Sequence, residues 1–221
     1  MEILAQIAGL IVQLVEFVLH IDRHLIAITS EYGGWTHAIL FLIVFCETGL
    51  VVTPILPGDS LLFAAGALSA GAGGLNPLVV LIALMVAAIL GDSVNYAIGS
   101  KVGTPVFDGR YRMLKPEYLE RTNQFYAKYG GKTIVLARFV PIVRTYAPFV
   151  AGAASMAYPR FLFFNVTGGI AWVAIFVLGG FFFGNIPVVR DNFGLVVIVI
   201  ILLSVAPVAW EFVKHRRSPT P

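Results

Sequence analysis

The chain has 221 residues, of which 58% are hydrophobic and only 12% are charged, and its formal charge is +3. A soluble domain usually carries about 25% charged residues, so this composition excludes a soluble globular fold and indicates a single all-α integral membrane domain. The small net charge argues against a nucleic-acid partner. The lone cysteine, Cys46, lies in an apolar run, which excludes a disulfide framework and a paired-thiol metal site. No cofactor is expected.

Residues 1–30 are predicted to form an N-terminal amphipathic helix. Residues 3–20 are apolar, but three polar side chains interrupt them: Gln6, Gln13 and Glu16. This pattern favours a helix at the membrane interface, or one packed against the spans, over a further span. The segment lacks a basic start and a small-residue cleavage site, so we expect it to be retained rather than cleaved as a signal peptide.

Residues 35–99 form the predicted first half of the domain. Since a spanning helix needs about 20 apolar residues, this stretch is too long for two spans and awkward for three. Helix-breaking residues come together near its middle: Pro54, Pro57 and Gly58. Broken backbone at membrane depth is tolerated only inside protein or beside a wet cavity. We therefore predict full spans at about 35–52 and 76–99, joined by a re-entrant hairpin at about 52–75.

Residues 101–132 form the one long polar segment, with seven basic and three acidic side chains. The positive-inside rule places this basic loop in the cytoplasm. A short surface helix is predicted at Pro116–Tyr129, because proline suits the first turn of a helix and Gly130 and Gly131 follow its end.

Residues 133–157 are predicted as a second re-entrant hairpin, and residues 161–213 as the last two spans. Three residues shape the second hairpin: Pro141, Pro148 and Gly152. Because the C-terminal tail is also basic, parity gives about four full spans, hairpins that enter from opposite faces, and both termini in the cytoplasm. The two proline-broken segments match in kind, which is typical of an inverted repeat with a ligand site near the midplane of the membrane.

Four charged residues require an explanation in such apolar surroundings: Glu47, Asp59, Arg138 and Arg144. Each would cost about 2.5–3.5 kcal/mol at the centre of a spanning helix, so they must be paired, hydrated or close to an interface. One interpretation is structural, with buried ion pairs between the hairpins and Asp59 capping the helix that follows it. The other is functional, with arginines that bind an anionic headgroup and acids that carry protons.

Buried ion pairs are poor stabilisers compared with apolar packing, which favours the functional interpretation. We therefore expect the two hairpins to share a polar chamber, with carboxylates from one facing guanidinium groups from the other. Enzyme chemistry is not expected, because the sequence contains no Ser/His/Asp set, HExxH motif or phosphate loop.

The accessory candidates for this site are Ser60, Asp92, Asn95, Tyr96 and Thr145. Gly91, Asn95 and Gly99 recur every four residues and predict a small face for close helix contact. Asp92 is expected to pair with an interfacial arginine or with water, and Tyr96 is expected to pack. Further packing faces are predicted at Asn165, Gly169 and Trp172, and at Gly180 and Gly184.

Two runs of the sequence resemble the motifs of the DedA family of bacterial membrane proteins. The first joins Phe45–Leu50 (FCETGL) to Leu56–Ser60 (LPGDS), and the second is Ala137–Gly152 (ARFVPIVRTYAPFVAG). The segment Gly91–Gly99 (GDSVNYAIG) also fits the family pattern. The resemblance covers about residues 30–212, nearly the whole chain, and two long motifs in the right order make it specific.

The resemblance implies a lipid-carrier transporter of the bacterial inner membrane, similar to eukaryotic VTT-domain scramblases. It implies that Glu47 and Asp59 are essential and proton-linked, and that Arg138 and Arg144 are essential. The expected substrate is a lipid with an anionic phosphate headgroup, in the first place undecaprenyl phosphate returned to the inner leaflet by the proton gradient. The open alternatives are a phospholipid flippase or scramblase without proton coupling, a membrane scaffold and, remotely, a membrane phosphatase. Homo-oligomerisation is also left open.

Overall fold

The computed structural model describes residues 21–50, 58–71, 75–103, 122, 124 and 126–202, and all regular structure in these ranges is helical. In chain order the helices are α1 (Ile21–Tyr32), α2 (Thr36–Gly49), α3 (Gly58–Ala70), α4 (Pro77–Val102), α5 (Thr133–Ala137), α6 (Pro141–Ala153), α7 (Tyr158–Phe183), α8 (Pro187–Asp191) and α9 (Phe193–Leu202). The predictions for Pro54 and Pro57, for residues 1–20, for most of the basic loop and for the basic tail lie outside the described residues.

The helices α4 and α7 have 26 residues each and are long and apolar enough to cross a membrane. Asn76 caps α4, because its side-chain oxygen accepts hydrogen bonds from the backbone N–H groups of Leu78 and Val79 at 3.0 and 3.2 Å. Both helices coincide with predicted spans. The total number of spans, the re-entrant character of the hairpins and their opposite orientation stay predictions.

The described residues belong to two compact units, and each unit takes residues from both predicted halves of the chain. The first unit draws on the described residues within Met1–Ile39, Pro57–Leu81 and Ala174–Leu203, and the second on those within Leu40–Leu56 and Ile82–Val173. The prediction of one membrane domain over the whole chain stays a prediction.

In the first unit, α3 and the C-terminal part of α7 pack backbone against backbone. A Cβ atom at Gly66 would collide with the carbonyl of Val177, and one at Gly180 would collide with the carbonyl of Phe63. Next to this contact, the side-chain amide of Asn185 donates a 2.8 Å hydrogen bond to the carbonyl of Ala67. The predicted packing face at the later glycines of α7 is therefore confirmed.

Asp59 does not occupy the capping position predicted for it. The helix α3 already begins at Gly58, so Asp59 lies within the first turn, where it is buried. A carboxylate in the first turn still interacts favourably with the positive end of the helix dipole.

In the second unit, glycines bring α2, α4 and α6 into close contact. A side chain at Gly91 would collide with Thr48, one at Gly99 with the carbonyl of Phe149, and one at Gly152 with the carbonyl of Tyr96. This confirms the predicted small face of α4, and it shows that Gly152 serves the packing of α6 against α4.

The second predicted hairpin is broken where the sequence indicates. The helix α5 ends at Ala137 and α6 begins at Pro141, after an extended Val140 with φ −124° and ψ 102°. The residue before a proline is kept out of the helical region by steric clash, which separates the two helices at this point. Pro148 does not end α6, which continues past it to Ala153.

Candidate functional site

The break between α5 and α6 carries Arg138, whose side chain is buried. Its Nη2 atom donates to Asp92 Oδ2 at 2.7 Å and to Asn165 Oδ1 at 2.6 Å. Asp92 is on α4 and Asn165 is on α7, so this one guanidinium ties the hairpin to both long helices. The residue is 2% exposed, and these charge-assisted hydrogen bonds therefore lie in a poorly solvated environment.

A second ion pair joins α6 to α2. Arg144 is in the first turn of α6, and its Nη2 atom donates to Glu47 Oε1 at 2.7 Å. Both side chains are buried. The two buried arginines and their two carboxylates together carry no net charge, since two positive charges face two negative ones.

Trp172 lies between the two ion pairs and contacts both arginines. The guanidinium carbons of Arg138 and Arg144 lie 5.7 and 5.3 Å from the centroid of its indole ring. Guanidinium groups within about 6 Å of an indole face are attracted to its π electrons. Trp172 is fully buried, so a single buried ring lies against both positive charges.

Asn95 fixes the backbone beside the second ion pair. Its Nδ2 atom donates to the carbonyl of Thr48 at 3.2 Å and to the carbonyl of Thr145 at 3.0 Å. These carbonyls belong to the residues that directly follow Glu47 and Arg144 in the sequence. Asn95 therefore holds α2 and α6 in the register in which the carboxylate meets the guanidinium.

Asn165 has one possible orientation of its side-chain amide. Its Nδ2 atom donates to the carbonyl of Ile89 at 2.9 Å and to Ser93 Oγ at 3.3 Å, so the oxygen must face Arg138. Next to it, Gly168 and Gly169 make room for the arginine, since a Cβ atom at either position would lie 3.3–3.4 Å from the guanidinium or its stem.

The structure brings three of the four predicted charged residues together in the second unit: Glu47, Arg138 and Arg144. The fourth, Asp59, belongs to the first unit together with Ser60, whose buried hydroxyl has no hydrogen-bond partner within the described ranges. The two acids that pair with the arginines within the second unit, Glu47 and Asp92, lie on α2 and α4, the helices on either side of the first predicted hairpin. The chamber predicted between the two hairpins stays a prediction.

The accessory candidates play different parts in this arrangement. Asp92 pairs with an arginine, Arg138, and both side chains are buried, while the expected position of this pair near the membrane interface stays a prediction. Tyr96 packs as expected, with its ring 4.5 Å from that of Phe161 and its hydroxyl donating to the carbonyl of Met156. Thr145 is buried and contributes its carbonyl to Asn95.

Sequence reasoning missed the roles of Asn165 and Trp172, which it assigned to a packing face. They are seven residues apart on one helix, and this spacing puts them on the same side. The signal that could have found them is the polar amide of Asn165 within an apolar span. Two small residues, Gly168 and Gly169, follow it and leave room for the arginine. Within the described residues, no three His, Cys, Asp or Glu side chains come together where a metal ion could bind.

Comparison with known proteins gives the chain a family. Residues 56–182 match the model of the VTT domain. The chain is 53% identical to the protein DedA of Escherichia coli (strain K12), over 95% of this chain and 96% of that protein. It is 44% identical to an uncharacterized membrane protein of Mycobacterium tuberculosis (strain H37Rv), over 81% of this chain and 79% of that protein.

A further relative is the inner membrane protein YqjA of Escherichia coli (strain K12), which is 38% identical over 70% of each chain. No solved structure matches the chain. The matched VTT domain includes both arginines, Asp92, Asn165 and Trp172. Taken with the two apolar helices of spanning length, these matches establish that the chain belongs to the DedA family of membrane proteins.

Proposed function

We propose that this protein is a lipid-carrier transporter that returns undecaprenyl phosphate to the cytoplasmic leaflet of the bacterial inner membrane, driven by the proton gradient. The observation that carries the proposal is the pair of buried arginines over Trp172. Arg138 keeps two of its nitrogen atoms, Nε and Nη1, without a hydrogen-bond partner among the described residues. A buried guanidinium with unused donors is suited to an anionic ligand.

A phosphate headgroup fits the charge and geometry of the cluster. Arginine binds phosphate through a planar fork of N–H donors. The helix α6 begins at Pro141, between Arg138 and Arg144 in the sequence, and the N-terminal end of a helix adds positive potential. The polyprenyl tail would remain in the lipid while the headgroup occupies the cluster. The proposal assigns no catalytic step to the protein.

Proton coupling follows from the charge balance of the cluster. The four charges of the two ion pairs sum to zero before substrate binds, so an incoming phosphate adds a negative charge to this cluster. Neutralising a carboxylate by protonation removes this imbalance at little cost compared with burying a free charge. We assign proton uptake to the predicted acids, Glu47 beside Arg144 and Asp59 at the start of α3.

The direct test is leaflet-resolved transport of labelled undecaprenyl phosphate in proteoliposomes, with and without a pH gradient. We expect transport that depends on the gradient, and its loss in Arg138→Ala and Arg144→Ala. Arg160→Ala is the matched control, because Arg160 is exposed near the start of α7 and its loss removes the same charge. Transport that ignores the gradient and prefers zwitterionic lipid would instead favour a phospholipid scramblase.

A further inference from the structure

We infer that Asp92 is the displaceable counter-ion of Arg138, and that its carboxylate releases the guanidinium and takes up a proton when a phosphate group binds there. The inference rests on the proposed function and deepens it, since it names the group that exchanges with the substrate. The proton comes from the aqueous phase and binds the Asp92 carboxylate, while the phosphate takes the place of that carboxylate on Arg138.

Arg138 uses its hydrogen-bond donors unevenly. Asp92 and Asn165 both contact Nη2, whereas Nε and Nη1 have no hydrogen-bond partner in the described ranges. A guanidinium binds a phosphate in bidentate fashion through Nε with Nη2, or through Nη1 with Nη2. Nη2 has one N–H on each of these edges, and Asp92 and Asn165 both accept hydrogen bonds from Nη2. A phosphate that binds either edge in bidentate fashion must therefore displace one of these two groups.

Arg138 is positioned so that it stays in place when Asp92 leaves, and Asn165 is the partner that remains. Asn165 is locked by its bonds to Ile89 and Ser93, with its oxygen on Arg138. The arginine is also confined by Gly168 and Gly169 and supported by Trp172. The guanidinium is therefore held by neutral groups, and removal of the carboxylate leaves a pre-positioned cation rather than a mobile side chain.

Several charged and titratable groups surround Asp92. Arg138 is in contact at 2.7 Å, and Arg144 on α6 lies against the same Trp172 ring as Arg138. Tyr126 donates its hydroxyl to the carbonyl of Ala147 at 2.9 Å. Glu47 is held by Arg144. Among these groups, Asp92 is the acid that competes directly with a ligand of Arg138.

The experiment uses Trp172 as a reporter inside the site. The chain has three tryptophans, so the background Trp35→Phe and Trp210→Phe leaves Trp172 as the only indole. The purified full-length protein in neutral detergent is titrated with dodecyl phosphate and with inorganic phosphate, at about pH 6 and about pH 8, while Trp172 emission is recorded. Dodecyl phosphocholine is the control for the alkyl chain. The two phosphate probes separate a lipid headgroup from a free phosphate ion.

For the wild-type site we expect saturable dodecyl phosphate binding that weakens as the pH rises, by up to about tenfold per pH unit for linkage to one proton. Asp92→Asn should bind at least about tenfold more tightly at the higher pH and lose this part of the pH dependence, because no proton is needed to free Arg138. Glu47→Gln makes the same chemical change at the other ion pair and should keep the dependence that is due to Asp92.

The outcomes separate the two proposals. Absence of dodecyl phosphate binding by the wild-type site would overturn the proposed function and this inference together. Binding with the same affinity and pH profile in wild type and Asp92→Asn would overturn the role of Asp92 alone. If Asp92→Asn does not fold, Asp92→Glu replaces it: a pH profile displaced along the pH axis supports the inference, and an unchanged profile contradicts it.

Discussion

Single residues decide whether the buried arginines can be retained at all. Arg138 would be prohibitively costly as an isolated buried charge. It is made tolerable by one carboxylate, one oriented amide and one indole face. Of these three, Asn165 contributes without changing the charge of the cluster, so its contribution to stability can be measured separately from the ion pair.

We expect Asn165→Leu to destabilise the protein by about 1–3 kcal/mol, because it removes an acceptor from a buried charged donor and leaves the carbonyl of Ile89 without the donor at 2.9 Å. Thermal unfolding in detergent measures the effect. The control is Thr167→Val on the same helix, because that exposed hydroxyl bonds only to carbonyls of its own helix. Equal stability of the two variants would show that the amide does not support Arg138.

At the scale of elements, glycines set the distances between helices and thereby the partners of the charged residues. The close approach of α4 to α2 at Gly91, and to α6 at Gly152, brings Asn95 within reach of two backbone carbonyls. In the first unit, Gly66 and Gly180 likewise allow close approach of α3 and α7. Gly179 and Gly180, neighbours on α7, allow this close packing to be tested.

Gly180→Ala should destabilise the protein by about 1–3 kcal/mol, because its Cβ atom would overlap the backbone of Phe63 and force α3 away. Gly179→Ala is the matched control. Its Cβ atom would meet the ring of Phe63 at 3.9 Å, an ordinary contact, so the better helix propensity of alanine should make this change neutral or stabilising. Unfolding midpoints that fall equally for both variants would contradict the close packing.

The sequence predicted the elements better than their partners. The spans α4 and α7 and the break before Pro141 follow from apolar length and proline chemistry, which act locally. Pairing of Arg138 with Asp92 depends on how α4 is rotated against the hairpin, and this rotation results from glycine contacts between distant segments. For the same reason Trp172 looked like a packing residue, because an apolar span gives no local sign that its ring faces cations.

At the scale of the whole molecule, the question is whether the four-charge cluster serves transport or only assembly. Buried ion pairs can often be replaced by neutral groups with little loss of stability, whereas removal of one partner leaves an uncompensated charge. A scaffold would therefore tolerate neutral replacement of a complete pair. A transporter that binds a phosphate headgroup through its arginines would not.

The decisive measurement is transport of labelled undecaprenyl phosphate by the double variant Glu47→Gln with Arg144→Gln, whose unfolding midpoint is determined in parallel. We predict a midpoint close to that of the wild type, because the replacement removes both charges of the ion pair together, and we predict loss of transport. Wild-type transport by this folded, neutral variant would contradict the assignment of Arg144 as a headgroup-binding residue.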